Sequence, residues 1–221
     1  DNLYERLKFF YDVSGHSRPA KEYLSDSNCI AEGKNLTVKY NNKTIFEDLS
    51  FSVPKNKITL IKGANGSGKS TLLKCICGFV NMSEGELLVN GKLPEKAVFE
   101  TVSLATQSSV LFGYAGIREN IMLGCYDNEN PAHADKLMTA YRLTDSGTEI
   151  CNLSGGEAQK AKILRALIKN AELLILDEPE NHLDNSTMRQ LLQELKTYKK
   201  SVLLVSHYDG FEDIADHIIT L

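Results

Sequence analysis

Nine residues, Gly63 to Thr71 (GANGSGKST), have the types and spacing to grip a chain of phosphates. Gly63, then Gly68, Lys69 and Ser70 after four intervening residues, fit the phosphate-loop pattern with no mismatch. Glycines let backbone N–H groups curl around an anion, and a helix opening there points its positive dipole end at it. Lys69 would neutralise the outer phosphates, and the Ser70 hydroxyl would ligate Mg²⁺. Asn65, Gly66, Ser67 and Thr71 complete the expected binding stretch. The flanks agree: Ile58 to Ile61 reads as a buried strand, and Leu72, Leu73, Ile76 and Phe79 read as one helical face. A glycine-rich turn before an ordinary helix cap is the bland alternative. The strand–loop–helix setting points instead to a bound nucleoside triphosphate.

Two further groups lie downstream. Leu173 to Glu178 (LLILDE) puts two carboxylates at the carboxyl end of an apolar strand, where open parallel sheets place their ligands. Asp177 is expected to hold Mg²⁺, and Glu178 to face an attacking water as general base or water-positioning group. Leu153 to Glu157 (LSGGE) opens a helix with a second anion cradle, although a Ser-Gly-Gly turn alone would pass for a helix cap.

Together with the phosphate loop and the Asp-Glu strand, LSGGE resembles the signature of the ATP-binding cassette (ABC) family; Glu157 stands where Gln often does. The resemblance runs from about Ile30 to Leu221 and implies a role for each matching residue. Tyr40, closing LTVKY, would stack on adenine. Gln107 would sense the γ-phosphate and the metal, joining Ser70 and Asp177 as metal-site residues. His207, in VSHY, would contact the γ-phosphate, so the implied catalytic set is Glu178, His207, Gln107 and Lys69. Leu153, Ser154, Gly155, Gly156 and Glu157 would complete the site of a second nucleotide-binding domain, homologous or identical. The loop from Glu180 to Asp184 would cross to that partner. ATP and Mg²⁺ are the implied ligands, and a head-to-tail pair is the implied active species.

Val110-Leu111-Phe112 and Ile117-Arg118-Glu119-Asn120-Ile121 are similar to a segment of exporter-type cassettes, and Glu5 to Phe10 is similar to the helix after their last membrane span. This implies the nucleotide-binding domain of an export pump at the cytoplasmic face of a membrane. Its transmembrane domain would be the other partner, coupled around Gln107 to Asn120. Residues 113 to 116 hold one position more than the exporter spacing, and Asn120 to Leu153 lacks the acidic-glycine loop, with only Gly147-Thr148-Glu149 near that place. EPENHLD is closer to soluble, non-transport cassettes of translation or DNA repair. A nucleotide-sensing module without turnover is the non-enzyme alternative.

The elements that must position these residues read as strands alternating with helices. The expected fold is α/β: a phosphate-loop NTPase core with a mostly parallel sheet, an N-terminal antiparallel β subdomain, and a helical signature subdomain at about 117–169. A hairpin is expected around Asn41-Asn42, a strand and tight turn at Glu86 to Gly91, and a strand at Phe99 to Ala105. Residues 1–29 read as a short amphipathic helix and a polar linker ahead of the domain at 30–221. The 221 residues, 42% hydrophobic, suffice for a core, and a net charge of -4 argues against a nucleic-acid partner. Five cysteines in no zinc spacing suggest reduced thiols. No apolar run approaches the ~18 residues that span a bilayer. The start at Asp1 suggests a piece of something longer.

Overall fold

Alternating apolar residues build β1 (Cys29–Tyr40) and β2 (Lys43–Pro54), an antiparallel pair that buries Leu36, Val38, Phe51 and Val53. The structure, a computed structural model, describes residues 28–40, 43–123, 131–144 and 150–221. The expected N-terminal helix, the Asn41-Asn42 turn and Gly147-Thr148-Glu149 lie outside them. A continuous apolar run forms β3 (Ile58–Lys62), and the phosphate-loop segment leads into α1 (Lys69–Ile76). Next, β4 (Glu84–Val89) completes the three-stranded sheet in the order β2-β1-β4. The turn after it is the expected one. Asn90 and Gly91 take positive φ (49° and 72°), and Val89 and Lys92 exchange two backbone bonds of 2.8 and 3.0 Å.

Two sequence expectations fail here, each for a local reason. Phe79 does not extend the apolar helical face. Gly78, at φ 71°, ends the helix in a Schellman turn: Gly78 N–H donates to Cys75 O at 2.9 Å and Phe79 N–H to Lys74 O at 2.8 Å. The chain leaves the helix axis at that turn, and Phe79 is 58% exposed. Phe99 to Thr101 is not strand either. Pro94 sits in the first turn of α2 (Pro94–Thr101), pre-set for helix, and only Val102 to Ala105 forms β5. Cys75 and Cys77 are core residues as expected, and burial pushes their thiols up to about 11 and about 12.

Three helices, α3 (Ile117–Met122), α4 (Pro131–Ala140) and α5 (Gly155–Ile168), pack together through Ile117, Ile121, Leu137, Tyr141 and Leu164. All three lie between residues 117 and 168. Then come β6 (Leu173–Asp177), α6 (Asn185–Thr197), β7 (Ser201–Val205) and β8 (His217–Thr220). The five-stranded sheet is parallel throughout, in the order β5-β6-β7-β3-β8. Its middle strands β6 and β7 are buried at every residue, as continuous apolar runs require when both faces are covered.

Gly78→Ala should lower unfolding free energy by about 1 to 3 kcal/mol, because the left-handed conformation is strained for alanine. A Cβ there would also lie 3.0 Å from the Glu95 nitrogen. Gly113→Ala, where a Cβ meets nothing within 4 Å, is the control. Equal urea midpoints for the two variants would contradict the account of the turn.

Candidate active site

The parallel strands end in register. Ile61 pairs with Val205, Val205 with Asp177, and Ala105 with Leu176 one residue earlier. Whatever follows these strands therefore emerges along one edge of the sheet. Four segments meet there: the Gly63–Gly68 loop, Asp177-Glu178, Ser206-His207, and Thr106-Gln107.

The loop is a cradle with its groups in place. Gly68 caps α1 at φ 101°, a conformation that costs glycine nothing, and no side chain caps the helix N–H groups. Lys69 is buried and donates back to Gly63 O at 2.8 Å and Ala64 O at 3.0 Å. The Ser67 hydroxyl is buried with no partner. A Cβ on Gly63 would lie 2.7 Å from that hydroxyl, so glycine keeps the space open. A buried cation, an orphaned hydroxyl and an uncapped helix end fit an anion. Thr71 follows in the first turn of α1, and Asn65 and Gly66 are exposed at the tip.

Asp177 is 7% exposed. Burial pushes its carboxyl up; the Ser70 hydrogen bond pulls it down, Glu178 raises it, and Lys74 and Lys69 lower it. The Ser70–Asp177 pair is an oxygen donor set suited to a hard divalent cation that keeps water and phosphate ligands. Among the described residues there is no cluster of three acidic, histidine or cysteine side chains that could hold a metal.

Glu178 stands one residue beyond Asp177 with φ 49°, left-handed for a non-glycine residue. Its backbone N–H donates to Val205 O at 2.7 Å, extending the β6–β7 ladder by one residue. Its Oε2 accepts from Gln107 Nε2 at 2.5 Å and from Asn181 Nδ2 at 2.9 Å. Gln107 and Glu178, 71 positions apart in sequence, are thus in direct contact. His207 follows the buried Ser206, and Glu180 Oε1 accepts from both the Ser206 hydroxyl (2.7 Å) and the His207 N–H (3.0 Å). Tyr40 closes β1 at 64% exposure.

The LSGGE stretch lies on the helical part. Ser154 caps α5, accepting from Glu157 N–H at 3.2 Å, while Glu157 Oε2 accepts from Ser154 N–H (2.9 Å) and its hydroxyl (2.7 Å). Those bonds from Ser154 hold the Glu157 carboxyl below the usual range. Gly155 and Gly156 back onto His182: a Cβ on Gly156 would lie 2.8 Å from the His182 carbonyl oxygen. Leu153 packs on the core, and Ser154, Gly155 and Glu157 are exposed. Asp184 acts locally as the cap of α6, accepting from Ser186 N–H and Thr187 N–H at 2.8 Å each.

Several partners escape the sequence pattern. Asn181 holds Glu178, and Glu180 holds Ser206 and His207. From α5, Lys162 donates to Gln107 O (3.2 Å) and Arg165 to Val110 O (2.9 Å). Asn120, fully buried, accepts from Phe112 N–H at 2.7 Å and lies 3.0 to 3.1 Å from the carbonyls of Phe112, Ala115 and Gly116. A buried polar residue inside a helical apolar pattern is the available signal for Asn120.

Residues 46–181 match the ABC transporter family. The chain belongs to that family. It is an ATP-binding ATPase domain of the ABC type. It is 34% identical over 202 residues to the manganese transport system ATP-binding protein MntB of Bacillus subtilis, covering 85% of this chain and 81% of that protein. Three other curated relatives are spanned over only 34 to 35% of their length. A solved dimeric bacterial ABC transporter cassette superposes with a TM-score of 0.76 at 25% identity, covering 86% of this chain and 94% of that one. A bacterial Atm1-family ABC exporter with ATP bound shares the fold, with a TM-score of 0.78 at 24% identity over 99% of this chain and 42% of the exporter's.

Asn120→Ala should take the side-chain partner from the part-buried Phe112 N–H and Ala115 carbonyl and cost the ABC domain about 1 to 3 kcal/mol of stability. Chemical denaturation of the two proteins checks this, and a midpoint equal to that of the unmodified chain would refute it.

Proposed function

We propose that this domain binds ATP on the Gly63–Thr71 loop and hydrolyses it with Glu178 accepting the proton of the attacking water. One observation carries the reading. The Glu178 carboxylate stands at the strand end beside buried Asp177, with one oxygen fixed by the amides of Gln107 and Asn181. Its direction is set before substrate arrives, as a general base requires. Lys69 exchanges its bonds to Gly63 O and Ala64 O for the β and γ phosphates. Gln107 and His207 contact the γ-phosphate, and Tyr40 stacks on adenine. Ser70, Asp177 and Gln107 would hold Mg²⁺, which when bound neutralises charge on the phosphate oxygens.

The reading extends to a head-to-tail pair. Ser154 and Gly156 of each chain would face the γ-phosphate of the other, with Leu153, Gly155 and Glu157 shaping that surface and the loop to Asp184 crossing between subunits. Exposure of Ser154, Gly155 and Glu157 at an N-terminal helix end supports it, as does the dimeric cassette of like fold. We assign the domain to an export pump at the cytoplasmic face of a membrane, coupled through residues 107–120. The VLF and IREN segments support this, with Val110 71% and Tyr114 81% exposed beside the loop that Asn120 shapes. The motif EPENHLD favours the second reading, a soluble cassette. Membrane spans encoded just upstream of Asp1 would support the pump, and a soluble neighbour there would favour the alternative.

Lys69→Ala should abolish tight ATP binding, and Glu178→Gln should keep binding while losing hydrolysis. By size-exclusion chromatography, Glu178→Gln should shift from monomer to dimer only with ATP and Mg²⁺, and a Glu178→Gln/Ser154→Arg variant should not. Persisting hydrolysis in Glu178→Gln would sink the base assignment. A variant that binds ATP yet stays monomeric would sink the composite site.

Adenine affinity supplies a separate check on Tyr40. Tyr40→Ala should weaken ATP binding by about 1 to 3 kcal/mol, the usual worth of a base–aromatic stack, whereas Tyr40→Trp should not. Unchanged affinity in Tyr40→Ala, measured by calorimetry, would remove Tyr40 from the site.

A further inference from the structure

We propose that Glu180 is the positioning residue for His207, and that its carboxylate fixes the geometry on which γ-phosphate contact depends. The inference rests on the reading of His207 given above.

Glu180 Oε1 receives two donors from consecutive residues, the Ser206 hydroxyl at 2.7 Å and the His207 N–H at 3.0 Å. Ser206 is 4% exposed, and its hydroxyl oxygen accepts in turn from Tyr208 N–H at 2.9 Å. Three successive residues after β7 are therefore tied, directly or through one hydroxyl, to a single carboxylate oxygen. The far side of the segment is anchored as well. Tyr208 stacks edge-on against Phe211 at 5.7 Å, and Phe211 is fully buried. The His207 side chain itself stays exposed. Its backbone is held while its imidazole faces outward, as befits a group that meets a ligand.

The second carboxylate oxygen, Oε2, is buried with no partner. A half-satisfied buried carboxylate costs stability, and a neutral donor–acceptor pair or an apolar residue would avoid the cost. Its presence is explained by the two donors it orders. Glu180 also lies two residues past Glu178, whose own N–H is bonded to Val205 O. The proposed base and the proposed phosphate contact are thus clamped to each other twice, once by backbone and once by this side chain. A shift of about 1 Å at a catalytic group is worth up to roughly 100-fold in rate.

The test is a double-mutant cycle on the full chain with ATP and Mg²⁺, reading kcat and KM separately. Glu180→Ala should lower kcat by about 10- to 100-fold with KM for ATP within about twofold. Glu180→Gln, which retains a carbonyl acceptor for both donors, should recover most of kcat. In a His207→Ala background, Glu180→Ala should cause no further loss, because the two act as one unit. Equal losses in both backgrounds, unchanged kcat, or a rise in KM alone would overturn the proposal. His207→Ala with full activity would instead overturn the reading of His207, and this proposal with it. Should Glu180→Ala not fold, Ser206→Ala removes one donor and leaves the carboxylate. It should give a smaller loss that likewise vanishes in His207→Ala, and additivity there would refute the proposal equally.

Discussion

Because Ile61, Val205 and Asp177 lie in one row across β3, β7 and β6, the chain segments that follow must leave the sheet at the same height. That register is held by burial. Strands β6 and β7 have no exposed residue, and β3 has only Lys62 partly open. Slipping one strand by a residue would move every side chain to the opposite face, with different neighbours on each. The same slip would carry Asp177 or the phosphate loop about 3.3 Å along the strand, further than any hydrogen bond in the site could stretch. Core packing therefore sets the site's geometry before any polar contact is made.

At the strand end the constraint becomes local strain. Glu178 takes φ 49°, a conformation that costs a non-glycine residue on the order of 1 kcal/mol or more. It persists because the surrounding bonds over-determine it: its N–H on Val205 O, its carboxylate on Gln107 and Asn181. At that turn the strand's alternation ends, and Glu178 is partly open where Asp177 is buried. The proposed base therefore reaches the edge where the loops converge while its neighbour Asp177 stays buried.

Much of this is legible in the sequence, for physical reasons that also explain the rest. The Ile58–Lys62 run, the Gly63–Ser70 spacing and the LLILDE strand carry their structure locally, so strand, loop and helix fall where expected. Phe79 departs from expectation because helical periodicity does not run through Gly78, and that glycine is itself a stop signal. Phe99 departs because Pro94, five residues earlier, starts a helix that an apolar strand pattern conceals. Asp184 followed by Asn-Ser-Thr is a helix-cap signature readable by eye, which the family resemblance overshadows. Asn181, Glu180 and Lys162 are out of reach in a different sense. The partners of Glu180 and Lys162 lie 26 to 55 positions away on other segments, and Asn181 reaches Glu178 only because the loop turns back on itself within three residues.

Helix α5 then links the LSGGE stretch to the Gln107 loop. Its N-terminus presents Ser154 and the glycines, and its later turns send Lys162 to the Gln107 carbonyl and Arg165 to the Val110 carbonyl. Burial holds both cations partly out of water, lowering their pKa values, so their hydrogen bonds to the loop replace lost solvation. A helix of 14 residues is a rod of roughly 21 Å. Tilting it to reposition Ser154 would pull on the same carbonyls that shape the Gln107 loop. Gln107 in turn holds Glu178 at 2.5 Å. Ser154 at the start of α5 and Glu178 just past the end of β6 are therefore joined through one helix, the Lys162 bond to the Gln107 carbonyl and the Gln107 bond to the Glu178 carboxylate. The sheet beside them has a buried register that stays fixed.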